Sequence, residues 1–242
     1  MSAEDLGPGL SLAELRAKVN LVEHPVIRAK MTALRRSETS SKNFRELLRE
    51  VASFLGFAAT ADLATRPVKV NTPVGEYTGA ELETSVCLVP VMRSGMGLLD
   101  AMLDVLPSAP VFHLGLYRDK RSLLPVLYYN KLPRDCFVQR AIVLDPLIAT
   151  AGTVVAVVEI LKEWGAKDIH IISVIASRPG LTQLLETHPD VKVHVCAIDE
   201  KLNDKGYIMP GLGDAGDRLF GIPPHIVEPP TPVNAPKRPK LN

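Results

Sequence analysis

Apolar positions recur along this chain in two periods, and the change between them falls near residue 86. Before it, helical spacing dominates. A short amphipathic helix is predicted over 10–19, with Ser11 placed to cap it. A longer one is predicted over 41–56, where Phe44, Leu47, Leu48, Val51 and Phe54 fall on one face. Between the two lies a basic cluster, Arg28, Lys30, Arg35 and Arg36, whose charge pattern predicts a solvated face. Short alternating runs broken by Pro73 and Gly75 predict a peripheral hairpin over 67–77.

After residue 86, β-branched apolar runs alternate with helical stretches. Strands are predicted over 86–91, 110–116, 141–144, 169–176 and 191–198. Helices are predicted over 96–106, 153–164 and 181–187, with Gly165 placed to close the second of them. Strands with so little polar alternation are buried on both faces, which predicts an α/β fold with a mostly parallel central sheet flanked by helices. Such sheets bind ligands outside their carboxyl ends. The loops after Val91, Leu116, Leu144 and Ile198 are therefore the candidates for chemistry.

Composition narrows this picture. A chain of 242 residues suits one large domain, expected over 1–221 with the helices of 10–56 and the closing segment 200–221 included. Residues 222–242 hold seven prolines and end in a basic run, so a disordered tail is expected there. A net charge of +1 argues against a nucleic-acid binder, and any anionic ligand must be caught locally. Three widely spaced cysteines, Cys87, Cys136 and Cys196, suit reduced thiols and a cytoplasmic location. No apolar run approaches the ~20 residues of a membrane span, so no membrane partner is expected. The six histidines lack metal-ligand spacing, and no protein metal site is expected.

Four loops carry candidate chemistry. Asp145-Pro-Leu-Ile-Ala-Thr-Ala-Gly-Thr153 leaves a strand and enters a helix through small and hydroxyl residues. Helix-start amides make an anion site, and small residues allow close approach. Position alone does not separate this from an ordinary capped connection. Pro90-Val-Met-Arg-Ser-Gly-Met-Gly97 places Arg93 beside a small turn, suited to bidentate contact with phosphate oxygens or simply to solvent. Leu116-Tyr-Arg-Asp-Lys-Arg121 is a charged strand exit leading into 123–132; Lys120 and Arg121 are expected to face solvent. The stretch 206–221 has five glycines and a proline in sixteen residues, a backbone-rich loop suited to the edge of a flat base or merely a long connection.

Together these loops are similar to those of the type I phosphoribosyltransferases, in the form carried by uracil phosphoribosyltransferases. Ile142-Val-Leu-Asp-Pro-Leu-Ile-Ala-Thr-Ala-Gly-Thr153 resembles the ribose-phosphate loop, with Asp-Pro in place of two adjacent acids. The resemblance extends from His24-Pro-Val-Ile to Gly221 and includes Ser41-Lys-Asn-Phe-Arg-Glu-Leu and Ala59-Thr-Ala-Asp-Leu. It implies a type I fold with a small hood and a projecting β-arm. It implies a phosphoribosyl-diphosphate site of Arg93, Arg118, Asp145, Pro146, Leu147, Ile148, Ala149, Thr150, Ala151, Gly152, Thr153 and Asp214. Within that set, 149–153 would hold the 5′-phosphate and Asp145 would face the ribose hydroxyls. Ala151 stands where many relatives have glycine, a change that an αR or β backbone would tolerate. Ile208, Gly213, Asp214 and Ala215 would contact uracil.

The reaction implied is transfer of phosphoribosyl from the diphosphate to N1 of uracil, giving UMP and diphosphate. Asp145, Arg118 and Asp214 are the expected catalytic groups, although no strong candidate removes the N1 proton. Magnesium is expected on the diphosphate, with few direct protein ligands because Pro146 replaces a carboxylate. A homodimer or homotetramer is implied, with the arm after Arg118 as contact, and a GTP effector could use the 28–36 cluster. The reading from another class is a catalytically silent regulator that keeps the fold; intact Arg93, Arg118 and Asp145 weigh against it.

Overall fold

The computed structural model describes residues 9–118 and 125–223. The tail expected over 222–242 falls outside the described residues from 224 onward, as do Lys120 and Arg121.

Ser11 caps helix α1 (Leu12–Lys18) by accepting the Glu14 N–H, and the Glu14 carboxylate accepts the Ser11 N–H at 2.8 Å. This reciprocal box satisfies two of the helix's orphan donors. Strand β1 (Asn20–Leu21) follows. Helix α2 (Pro25–Arg35) then occupies the stretch read only as a basic cluster. The His24 side chain accepts the Val26 N–H, and Pro25 takes the first helical position, where no N–H is needed. Helix α3 (Ser41–Thr60) runs past its predicted end because its buried periodicity continues through Leu55 and Ala59.

The predicted hairpin is longer than expected, as β2 (Thr65–Thr72) and β3 (Gly75–Leu82). It pairs only with itself, and most of both faces is exposed. The α/β alternation follows: β4 (Val86–Met92), α4 (Met96–Val105), β5 (Leu114–Arg118), β6 (Pro125–Asn130), β7 (Arg140–Leu144) and β8 (Leu147–Ile148). Then come α5 (Gly152–Trp164), β9 (Asp168–Ser177), α6 (Arg178–Thr187) and β10 (Lys192–Asp199). Of the strand expected over 110–116, residue 111 makes only a single bridge to Leu88, and regular pairing begins at Leu114. Helix α6 starts earlier than 181 because Ser177 caps it through the Gly180 N–H. A small pair, β11 (Lys201–Leu202) and β12 (Ile208–Met209), and helix α7 (Ala215–Phe220) complete the hood.

The sheet order is β1-β10-β9-β7-β4-β5-β6, with β8 also on β9; every pairing is parallel except β5 with β6. Successive strand residues feed opposite layers. Cys87, Val89, Ala141 and Val143 pack with the buried faces of α1, α5 and α6. Leu88, Ile142 and Leu144 pack with α2, α3, α4 and the hood residues Ile208, Leu212 and Leu219. Three layers result. At the end of α5, the indole N–H of Trp164 donates to the Pro133 carbonyl at 2.8 Å, and its ring meets the edge of Phe112.

The amino edge of the sheet is closed by ions. Buried Arg140 donates to Asp168 Oδ2 at 2.6 Å and to both oxygens of Asp62 at 2.6 and 3.2 Å, and Lys192 Nζ reaches Asp62 Oδ2 at 3.0 Å. The Arg140 hydrogen bonds hold the Asp62 carboxyl well below the usual carboxylate range. Beside them, the Asn20 amide donates to His194 Nδ1 at 3.0 Å. That leaves the His194 proton on Nε2, which donates to His170 Nδ1 at 3.1 Å. Burial keeps both imidazoles below their ordinary pKa, His194 at about 4.

Candidate active site

The opposite, carboxyl edge gathers the loops. A cavity of about 220 Å³ is lined by Ser94, Asp145, Leu147 and Ala149 from the sheet side and by 206–208 and 213–216 from the hood. A larger cavity, about 380 Å³, lies at the amino edge among Asp62, His170 and His194, away from every loop carrying candidate chemistry. The smaller one is the candidate site.

Asp145 follows the last residue of β7 and is buried. Its N–H donates to Ile172 O at 3.2 Å, which fixes it at the strand end. Burial pushes its carboxyl up to about 7, against the opposing pull of hydrogen bonds from Ser94 and the Leu147 N–H. Ser94 Oγ donates to Asp145 Oδ1 at 3.2 Å. It can reach because Gly95 lets the β4 loop lie flat on the end of β7: a Cβ at Gly95 would stand 2.1 Å from Leu144 O.

The next residues divide by role. Pro146 and Ile148 are buried, and Ile148 belongs to the core, so their side chains cannot meet a ligand. The Pro146 carbonyl accepts from Val174 and Ile175, which ties the loop to β9. Ser177 Oγ donates to Ala149 O at 2.5 Å, steadying the loop from the other side. Ala151 departs from expectation. It is left-handed, with φ 62 and ψ −7, and is the N-cap of α5 without a side-chain bond. The backbone must reverse there to present the amides of 151–154 along the start of α5, so the site demands the turn whichever residue occupies it. Thr150, Gly152 and Thr153 are partly or wholly exposed at that helix start and do not line the cavity.

Arg93 stands outside the cavity, more than half exposed, and donates to Asp217 Oδ1 at 3.0 Å. Arg118 is the last residue of β5, and its side chain lies outside the described residues. In the hood, Ile208, Gly213, Asp214 and Ala215 all line the cavity, although they lie more than fifty residues from the β7 loop in sequence. Asp214 also caps α7: its Oδ1 accepts the Asp217 N–H at 2.9 Å.

Sequence reasoning missed Ser94, Gly206, Tyr207 and Gly216 among the lining residues, and Asp217 as the partner of Arg93. A hydroxyl next to the loop arginine was the available signal for Ser94. The basic cluster is also corrected. Arg35 is not solvated but forms a bidentate pair with buried Asp199, at 2.7 Å through each nitrogen. Lys30 pairs with Glu50 at 2.6 Å.

A mostly parallel sheet with an acid at a strand end, a small-residue turn into a helix after it and a glycine-rich hood facing the acid across one cavity defines a type I phosphoribosyltransferase. The family model described as uracil phosphoribosyltransferase matches residues 21–222. The chain is 51% identical to the uracil phosphoribosyltransferase of Roseiflexus sp. (strain RS-1) over 205 residues, 85% of this chain and 99% of that one. It is 48% identical to that of Dictyoglomus thermophilum, over 84% of this chain and 99% of the other. The solved AQ2163 protein from Aquifex aeolicus matches with a TM-score of 0.78 at 35% identity, covering 84% and 98% of the two chains. The chain belongs to the uracil phosphoribosyltransferase family.

Proposed function

We propose that the cavity joins N1 of uracil to C1 of phosphoribosyl diphosphate, releasing diphosphate and forming UMP. The observation that supports this most is the meeting of the Asp145–Ala149 loop and Ile208, Gly213 and Ala215 of the hood around one small cavity. The ribose phosphate lies along the start of α5, with its 5′-phosphate on the amides of 149–153. Uracil lies under the hood, its polar edge read by backbone groups. The anomeric carbon gains positive charge as diphosphate leaves, and the Asp145 carboxylate stabilises that charge. Arg93 and Arg118 hold the diphosphate oxygens, with Arg93 exchanging Asp217 for its ligand. Asp214 keeps one oxygen on the α7 cap and has the other for the ribose diphosphate.

The oxygen donors of the site fit magnesium carried on the diphosphate, with Asp145 and Ser94 as its near protein groups and Pro146 offering no carboxylate. When bound, that ion neutralises part of the leaving group's charge. The direct experiment incubates the protein with phosphoribosyl diphosphate, magnesium and one base at a time. UMP from uracil, with little product from cytosine or hypoxanthine, is expected; no UMP from uracil overturns the reading.

Self-association belongs to the same reading. A two-stranded hairpin is marginal on its own in water, and β2–β3 exposes Val74, Tyr77 and Leu82. The antiparallel arm exposes Tyr128 and Tyr129. Both suit burial against a second copy, giving a dimer or tetramer that sedimentation would detect. For a GTP effector, Arg35 and Lys30 are committed elsewhere, which leaves Arg28 and Arg36 of the cluster; turnover with and without GTP tests it. Among the described residues no helix is long and apolar enough to cross a membrane. The cytoplasmic reading rests on the three free cysteines.

A further inference from the structure

The hood has a mechanical problem. Its base-facing residues are largely backbone, and a glycine-rich segment has few side chains to hold it to the accuracy that base recognition needs. Two arginines supply the missing constraint. Arg35, the last residue of α2, donates to both carboxylate oxygens of Asp199 at the end of β10, and its Nη1 also donates to Gly211 O at 2.8 Å. Asp199 Oδ2 in turn accepts the Gly211 N–H at 2.9 Å. Both backbone groups of Gly211 are thus held by one ion pair. No side chain could stand at Gly211, since a Cβ there would lie 2.1 Å from Ile208 O.

The second arginine runs the other way. Arg218, in α7, donates to Leu34 O, Leu212 O and Arg36 O at 2.5, 2.7 and 2.6 Å, and lies 4.3 Å over the ring of Phe44. It ties the hood to the last turn of α2, filling carbonyls that the helix end leaves unpaired. Residues 211 and 212, immediately before the base-facing 213–215, are therefore suspended between a fixed helix and a fixed strand end.

We propose that the Arg35–Asp199 pair is a positioning device that sets the height and tilt of the hood over the base, and so controls uracil affinity and base selectivity. It touches neither reacting atom. Because the 5′-phosphate loop leaves β7 and is held separately by Ser177, its function is independent of the pair. The proposal rests on the hood being the base site. An ordinary structural ion pair, by contrast, would affect stability alone or all kinetic constants together.

The test compares wild type with Asp199→Asn and Arg35→Lys, each of which keeps a hydrogen-bonding group but loses the bidentate ion pair. The expected result is a rise in the KM for uracil of roughly ten- to a hundredfold, with the KM for phosphoribosyl diphosphate changed less than about threefold. Discrimination against cytosine, as the ratio of kcat/KM values, should fall in parallel. Arg35→Ala should regain uracil affinity with millimolar ethylguanidine, which restores the planar fork. Equal rises in both KM values, or a lower melting temperature with unchanged kinetics below it, overturn the proposal. Should Arg35→Ala not fold, the two conservative variants decide. Amide exchange separates failure of the site assignment from failure of the device. If wild type makes no UMP, the base-site reading fails; Asp199→Asn should even then lose protection at the Gly211 N–H and keep it at Asp145 in the β7 loop, and unchanged protection at Gly211 overturns the device.

Discussion

The two edges of one sheet treat charge in opposite ways. At the amino edge, Arg140 is buried but meets two carboxylates, one of which Lys192 also contacts, and a chain of hydrogen bonds from Asn20 through His194 to His170 arranges the rest. At the carboxyl edge, Asp145 is equally buried and, among the described residues, has no cation against it; a serine hydroxyl and a backbone amide are its partners. Compensated charge holds strands together. Uncompensated charge is held ready for a ligand that develops positive charge, at the expense of stability in its absence.

The largest effect that separates the edges is on turnover. Asp145→Asn should lower kcat by roughly a hundredfold or more, measured as UMP formation, because it removes the carboxylate facing the anomeric carbon. The same change should raise the melting temperature of the ligand-free protein at pH 8, by roughly 4 °C or more. The sign follows from linkage. A carboxyl raised from its unfolded value to about 7 carries no penalty below pH 3.8, and loses stability progressively as pH rises toward 7. A melting temperature at pH 8 unchanged or lowered would contradict the uncompensated carboxylate.

Arg140→Met should do the reverse. It removes the shared partner of Asp62 and Asp168, leaves Asp62 with Lys192 alone, and should cost about 1–3 kcal/mol in urea unfolding, while kcat and both KM values of the folded protein stay near wild type. Next comes Ser177→Ala, which removes the cap of α6 and the bond to Ala149 O together. A loss of about 1 kcal/mol is expected, with a higher KM for phosphoribosyl diphosphate and little change for uracil.

The histidine pair gives a smaller, pH-dependent effect. Its folded pKa values lie below the ordinary one, so its stabilisation is present above pH 6.5 and is lost as pH falls toward 4. This runs opposite to the Asp145 effect over an overlapping window. Arg140, Asp168, Lys192 and Asp62 face the pair, and the Arg140 hydrogen bonds hold Asp62 ionised through that range. His194→Gln should flatten the acid limb of the melting-temperature curve; an unaltered limb would remove the pair from the account. Smallest of all, Ala151→Gly should change stability by less than about 1 kcal/mol, in the favourable direction, since glycine enters the left-handed region freely.

Much of this arrangement was legible in the sequence, and unevenly so. The strands buried on both faces were readable because their apolar runs, such as Val86–Met92, are local signals. The small-residue loop at 145–153 and the glycine-rich hood were readable for the same reason. What was hidden depends on distant partners. Arg35 reads as a solvated cation until Asp199, 164 residues away, is brought against it. The left-handed turn at Ala151 carries no signal of its own, because the residue that usually marks such a turn is missing. Helix α2 was hidden because Arg28, Lys30 and Arg35 interrupt its apolar pattern, with only Ile27, Met31 and Leu34 buried.

Trp164 has a practical consequence. It is the chain's single tryptophan, and its indole N–H is spent on Pro133, in the segment that follows the antiparallel arm. Its emission should therefore shift when the arm packs against another surface, while events under the hood, on the far layer, leave it unchanged. The molecule carries its own optical label beside the arm and none beside the hood.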